Sequence, residues 1–315
     1  MSLRPLSFQS LTAPSLSTRP RDTEDADFAA LCPADSSFAD FLSSLPSIGL
    51  TRDLFLVRDA MVNALNHKRG IVLACGGHVI SAGLSPLIVR AIEQHRITAL
   101  ALTGDALLQD VEVALTGHTL LRRSRACDSG VFGVSEEAGE LINHAIHVGA
   151  RENQGIGQAT AQALLDSRAE YVQHSIIAAA ERAGIPVTVH PAIGMDAFAI
   201  HAKSHGESLG ATGMTDFQLL AAALGRNKPG VILNVSSSMV LPRVLVQAAE
   251  LAAQVANPLE EVTAVMMSTR NDNHANQDLL ARLVDDKGQG FILPGAEELL
   301  LPLLFAAVQD VLGSD

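Results

Sequence analysis

The segment Arg69–Gly117, RGIVLACGGHVISAGLSPLIVRAIEQHRITALALTGDALLQDVEVALTG, constrains this chain most. It runs apolar stretch, Gly-Gly break, helical pattern, second apolar stretch, Thr-Gly-Asp break, second helical pattern. Ile71–Ala74 and Ile97–Leu102 are short and almost continuously apolar, as expected of strands buried on both faces. Each gives way to small or polar residues just before a helix begins. In a parallel α/β sheet that carboxyl edge is where ligands bind, so this one segment predicts both a fold and the place of a site.

The alternation continues along the chain. Strands are expected at 70–75, 97–103, 185–190, 230–236 and 261–268, with a weaker one at 290–294. Helices are expected at 84–95, 106–116, 135–149, 156–183, 215–225, 241–256, 274–286 and 296–312. This order predicts an α/β fold, a mostly parallel sheet with helices on both faces. Residues 1–36 are rich in Ser, Pro, Thr and Asp and read as a flexible N-terminal arm. Residues 37–315 read as a single α/β domain with a helical insertion at about 118–184. Phe38–Leu45 reads as a helix that Pro46 ends. The last helical pattern, AEELLLPLLFAAVQDVLG, is apolar on nearly every side, so it belongs in a core or a subunit contact. Pro302 should kink it or mark a break near its first turn.

Bulk composition excludes some classes. Of 315 residues 48% are hydrophobic and only 3% aromatic, with no Trp, so a large core must be built from Leu, Ala, Val and Ile. The net charge of −12 argues against a nucleic-acid partner, which needs a basic face. There is no run of about 18 or more apolar residues, so no membrane span is expected. No secretory pattern is visible at the N-terminus, and a cytoplasmic location is expected. The three cysteines, Cys32, Cys75 and Cys127, lack metal spacing and fit free thiols in a reducing compartment.

Four groups of residues could carry chemistry. The first is the pair of edge loops after the first two strands. Gly76, Gly77, Ser81 and Gly83 supply one loop, and Thr103, Gly104 and Asp105 the other, with Asp110 and Glu112 on the helix beyond. Small residues there let a dinucleotide backbone approach N–H groups at a helix start; ordinary strand-to-helix turns are the alternative. Gly155-Ile-Gly157 imitates a dinucleotide fingerprint but follows a helical pattern, so the required strand is missing. The second group is VTVHPAIGMDAFAIHAKSHG, where His190 is a candidate general base and Asp196 a candidate ligand contact. His190, Asp196, His201 and His205 could instead bind a metal, as in a metal-dependent hydrolase. A capping Asp and a satisfied loop His are the structural alternative. The third is Ser236–Ser238, small residues between a strand and a helix. The fourth is MMSTRNDNHANQ, with Asn271 and His274, together with His78, as candidate substrate contacts.

The pair ISAGLSPLI and LTGDALLQDVEVAL resembles the corresponding pair of the deoxyhypusine synthase family. There a Ser-x-Gly-Leu helix start is followed one unit later by a Thr-x-x-Gly loop and an acidic helix start. Looser similarity runs through IPVTVHPAIGMD, GVILNVSSSMVL, AVMMST and LLLPLL, over roughly residues 50 to 305. The likeness is greatest to a poorly characterised bacterial branch with a His-Val-Ile-x-x-Gly-Leu start. The resemblance implies a Rossmann-like fold, NAD, and a homotetramer with sites at subunit contacts. It implies NAD contacts around Gly77, Ser81, Gly83, Thr103, Gly104, Asp105, Asp110, Ser236, Ser238 and Thr269, with Asp196 near cofactor and amine. Ser236–Ser238 stand where the family has a triple-Gly turn.

The departures are as telling. The family's substrate His and Asn fall at Pro242 and Val246, and its nucleophilic lysine falls near Leu280, Ala281, Arg282 and Leu283. Arg cannot form the imine, because its guanidinium stays charged. Lys287 is the nearest lysine, either a displaced nucleophile or a solvated loop residue. The expectation is therefore an NAD-dependent enzyme acting on a small amine or amino-acid-like substrate through an imine, and not a true deoxyhypusine synthase. A non-catalytic cofactor-binding paralogue or regulatory subunit is the alternative.

Overall fold

A computed structural model describes residues 4–20, 23–119, 133–269 and 273–313, with only the backbone of 273–276. The chain divides into two compact units, Met1–Arg52 and Asp53–Asp315. In the first, α1 (Phe38–Ser44) starts at a capping box. Ser37 Oγ accepts from Asp40 N, and the Asp40 carboxylate accepts from Ser37 N. Two backbone bonds, Ala30 N to Ser44 O and Ser47 N to Asp27 O, fold the preceding segment onto this helix. Helix α2 (Gly49–Asn66) then leads into the second unit.

The second unit holds a sheet of six parallel strands in the order β3-β2-β1-β4-β5-β6. They are β1 (Ile71–Cys75), β2 (Ala99–Thr103), β3 (Val187–His190), β4 (Val231–Val235), β5 (Thr263–Ser268) and β6 (Gln289–Pro294). This is the Rossmann-type order, in which direction reverses between β1 and β4. Central strands β1 and β4 are buried at every residue, which is why their sequences are apolar without alternation. Edge strand β6 is largely open on its outer positions, and it gave the weakest sequence pattern.

Helices cover both faces. On one, Val72, Ala74, Ile232 and Met266 pack with α9 (Gly206–Asn227) through Leu220 and Leu224, and with α10 (Leu241–Val255) through Leu245 and Val246. On the other, Ile71, Leu73 and Leu233 meet Met61 of α2, Ala91 of α4 (Ser85–Glu93), and Phe305 and Val308 of α12 (Glu297–Leu312). Each Leu, Ile or Val so buried contributes roughly 1.5–3 kcal/mol. Pro302 lies inside α12, which continues through it rather than breaking. Its ring removes one backbone rung, while Leu301, Leu304 and Phe305 hold the helix to the sheet.

The remaining helices are α3 (Gly77–Ser81), α5 (Gly104–Thr116), α6 (Glu136–Glu152), α7 (Ile156–Asp166), α8 (Ile176–Arg182) and α11 (Asn273–Leu283). The single helix expected over 156–183 is two. Ser175 caps α8 by accepting from Ala178 N, and Asp110 accepts from Ile176 N and Ile177 N, so a new helix starts there. Among the described residues no helix is long and apolar enough to cross a membrane.

Candidate functional site

The carboxyl ends of the strands border a cleft of about 430 Å³, centred on the reversal between β1 and β4. It takes residues from five loops: Gly77 and His78 after β1, Thr103 and Asp105 after β2, Asp196 after β3, Ser236–Ser238 after β4, and Ser268–Thr269 after β5. Glu297, the first residue of α12, closes it from the β6 side.

Two glycines show how tightly the loops are set. A Cβ on Gly77 would lie 2.0 Å from Asp105 Oδ2, so the turns after β1 and β2 stand in direct contact. A Cβ on Gly104 would lie 2.5 Å from Asp196 Oδ2, so the turns after β2 and β3 do too. Each carboxylate is fixed in place. Asp105 Oδ2 accepts from Gln109 Nε2 at 2.8 Å, and Asp196 Oδ2 accepts from Ala192 N at 2.6 Å. Thr103 caps α5, its hydroxyl accepting from Ala106 N.

The β4 loop is conformationally strained. Ser236 adopts φ +60°, a left-handed conformation uncommon for a residue with a side chain. Such outliers persist where surrounding bonds over-determine them, often at functional sites. Here Ser236 N donates to Met267 O and Ser236 Oγ donates to Glu297 Oε1 at 2.9 Å. Ser237 Oγ accepts from Leu241 N and starts α10.

Ten of the residues singled out from the sequence border this cleft: Gly76, Gly77, His78, Thr103, Asp105, Asp196, Ser236, Ser237, Ser238 and Thr269. Gly104 lies directly behind Asp196. Others lie elsewhere. Ser81 turns back on its own helix, its Oγ 3.3 Å from His78 Nδ1, and Gly83 closes that turn at φ +77°. Asp110 is wholly buried and committed to structure. It accepts from Ser175 Oγ at 2.6 Å as well as from the start of α8. Burial raises its pKa to about 6 against the lowering effect of those bonds.

His190 is 6% exposed at the end of β3, with Nε2 3.0 Å from Thr188 Oγ1. Burial lowers its pKa to about 4, so it stays neutral and is a weak base near neutral pH. Lys287 precedes β6 at the opposite, amino edge of the sheet and pairs with Glu261 at 3.3 Å. Asn271 lies outside the described residues, and so does the side chain of His274. Cys75 is buried at the end of β1, and desolvation pushes its thiol far above the ordinary range.

The histidine-rich loop after β3 does not assemble as a metal centre among the described residues. His190 turns to Thr188, while His205 Nδ1 faces Ser208 Oγ at 3.1 Å. The one metal-competent group among the described residues is a different one, His78, Glu297 and Glu298.

Glu297 is the residue that sequence reading missed. It is 1% exposed, and its Oε1 accepts from both Ser236 Oγ and Thr269 N. Its signal was available: an acidic pair opens the helix after β6, at the same carboxyl edge as the other loops.

No protein-family model matches the chain, and no curated protein does. Solved structures do match. A chain described as a LOR/SDH protein from Methanococcus maripaludis S2 is 12% identical with a TM-score of 0.53, over 96% of this chain and 76% of that one. AgrE, solved in a ternary complex with ornithine and NAD+, is 16% identical with a TM-score of 0.55, over 85% of this chain. This chain spans 34% of AgrE. A chain described as a deoxyhypusine synthase from Entamoeba histolytica is 10% identical with a TM-score of 0.55, over 90% of this chain and 96% of that one. At 10–16% identity these likenesses show that the chain shares the fold of the proteins described as LOR/SDH, AgrE and deoxyhypusine synthase.

Proposed function

We propose that this chain is an NAD-dependent enzyme that oxidises a small amine or amino-acid-like substrate at the carbon bearing nitrogen. One observation carries the reading: a roomy cleft lies at the β1–β4 reversal, edged by Gly77 and Ser236–Ser238 and walled by Asp105, Asp196 and Glu297. The reversal point of such a sheet is where dinucleotides bind. Small residues at Gly77 and Ser236–Ser238 fit a cofactor backbone lying close to the chain, and NAD, when bound, supplies the hydride acceptor.

The acidic wall fits a cationic substrate. Asp196 and Asp105 hold an ammonium group by charge-assisted hydrogen bonds, and Thr269 and Ser238 bound the space beside it. Once the ammonium has given up a proton to a wall carboxylate or to water, loss of hydride from its carbon would leave a protonated imine. None of the four lysines borders the cleft. Lys68, Lys228 and Lys287 precede β1, β4 and β6 at the amino edge, and Lys203 pairs with Glu140. The imine therefore stays on the substrate and is handed to water or to an acceptor amine. AgrE, with ornithine and NAD+ bound in its own structure, supports the cofactor and the substrate class. A homotetramer and a cytoplasmic location belong to the same proposal.

Calorimetric titration with NAD and with NADP tests the first half. Incubation of the NAD complex with ornithine, spermidine and related amines, followed by reduced-nicotinamide absorbance, tests the second. Saturable binding and reduction with one amine support the reading, and no aminobutyl transfer to a protein lysine is expected. Failure to bind either dinucleotide at millimolar concentration defeats it. The lysine-free cleft also favours a second reading, a non-catalytic cofactor-binding paralogue, which dinucleotide binding without any amine oxidation would support.

A further inference from the structure

We propose that His78, Glu297 and Glu298 form a binding site for one first-row divalent metal ion at the rim of the cleft. The three donor atoms lie within 4.8 Å of one another and come from two helix starts. His78 sits in the first turn of α3, while Glu297 and Glu298 open α12. His78 Nε2 is 3.9 Å from Glu297 Oε2 and 3.9 Å from Glu298 Oε2. That is too long for hydrogen bonds. It is close to the span of two metal–ligand bonds of roughly 2.0–2.2 Å meeting at one ion.

A blander account covers only part of this. Acidic residues are favoured at helix N-termini by the helix dipole, and that suffices for Glu298, whose side chain is 49% exposed. It does not suffice for Glu297. Its side chain is 2% exposed. Oε1 is fixed by Ser236 Oγ and Thr269 N, yet Oε2 is buried with no hydrogen-bond partner. A buried carboxylate oxygen without a partner is strongly disfavoured. The chain thus anchors one oxygen to the loops after β4 and β5 and presents the other to His78. This is how metal-binding carboxylates are held, with outer partners orienting the ligand.

One imidazole nitrogen and two carboxylate oxygens suit Zn²⁺, Mn²⁺, Fe²⁺ or Co²⁺ better than Ca²⁺ or Mg²⁺, which prefer oxygen alone. Three protein ligands leave coordination positions open, and the His78 side chain is 45% exposed, so those positions face solvent and the cleft. An ion here offsets the repulsion that Asp105, Asp196 and Glu297 exert on any phosphate or carboxylate group of a ligand. The site does not depend on the cofactor reading, because metal binding is measured without nucleotide.

The test uses full-length protein, stripped of metal and titrated with Co²⁺, read by visible absorption and by calorimetry, with Zn²⁺ as competitor. We expect one Co²⁺ per chain, displaced by Zn²⁺. His78→Ala and Glu298→Ala, at exposed positions that leave the fold intact, should each weaken binding about tenfold or more. Glu297→Gln should abolish it, with circular dichroism checking that the chain still folds. His147→Ala/His205→Ala removes a close imidazole pair elsewhere in the chain, with rings 5.7 Å apart, and should leave binding unchanged. The proposal is overturned by no bound Co²⁺ or Zn²⁺ at millimolar metal. Binding that survives both His78→Ala and Glu298→Ala, or that disappears with His147→Ala/His205→Ala, overturns it equally.

Discussion

The hydroxyl of Ser236 donates to Glu297 Oε1 at 2.9 Å, tying the strained turn after β4 to the first residue of α12. Removing the donor should therefore loosen two elements at once. Ser236→Ala loses a hydrogen bond to a buried carboxylate and should destabilise by about 1.5–3 kcal/mol. Ser236→Gly loses the same bond but relieves the left-handed strain, so it should be less destabilising by about 1 kcal/mol. Urea unfolding of both variants checks the order, and a glycine variant less stable than the alanine one contradicts it.

Gly104 lies against the Asp196 carboxylate and the Phe198 ring, which a Cβ would approach to 2.5 and 2.7 Å. Gly104→Ala should push Asp196 out of position and destabilise by about 1–3 kcal/mol, as overpacking does. Because Asp196 borders the cleft, any dinucleotide or amine affinity should fall together with the thermal midpoint. A variant with unchanged affinity and midpoint would show that the two loops can part without consequence.

Asp216, in α9, is a buried carboxylate outside the cleft. Its Oδ2 accepts from Val189 N at 2.8 Å and Gly157 N at 3.1 Å, while Oδ1 has no hydrogen-bond partner. Burial raises its pKa from 3.8 to about 7, against the lowering effect of the backbone bonds. The folded chain then holds a proton that the unfolded chain releases. Stability from this group is complete below 3.8 and is lost as pH rises through about 7. His190 acts in the opposite sense: burial lowers its pKa from 6.5 to about 4, so its contribution is lost as pH falls through that window. Asp216→Asn isolates the first effect. The variant does not titrate there, so it should gain stability relative to the parent steadily as pH rises from ~5 to ~8. Parallel midpoint-versus-pH curves for the two proteins would refute the assignment.

With no lysine at the cleft, reductive trapping should find nothing on the protein. Cyanoborohydride added during turnover of NAD with an amine should leave the mass of the chain unchanged. Lys287→Ala should leave turnover within experimental error of the parent, since Lys287 pairs with Glu261 at the far edge of the sheet. A substrate-sized adduct on any lysine would overturn this.

How much could be read from the residues alone depended on the physics each one obeys. Ile71–Cys75 and Val231–Val235 announced themselves because burial on both faces demands uninterrupted apolar side chains. The loops after β1, β2 and β4 were legible for the same reason: a strand end followed by small residues has few other uses. Asp110 was harder. From sequence it looked like a carboxylate at a helix start near the cleft, but α5 begins at Gly104, and the extra residues turn Asp110 into the interior against α8. Partners 65 and 66 residues away leave no local trace. Glu297 was missed because β6 is an edge strand, whose weak apolar pattern hides where its carboxyl end and the following loop fall. Asp216 gave no signal, since a polar residue in mid-helix looks solvated until packing encloses it.

The lysines at the amino edge have a kinetic corollary. Lys228 and Lys287 are paired with Glu260 and Glu261, which leaves that end of the sheet near electrical balance. At the other end, among the described residues of the cleft, Asp105, Asp196, Glu297 and Glu298 outnumber His78. Among the described residues the charges of these two ends thus differ along the strands, and the acidic strand tips attract cations. Association of a polyamine or a metal ion should be fast in dilute buffer and slow steeply as salt is added, while a neutral ligand of equal size should show neither trend.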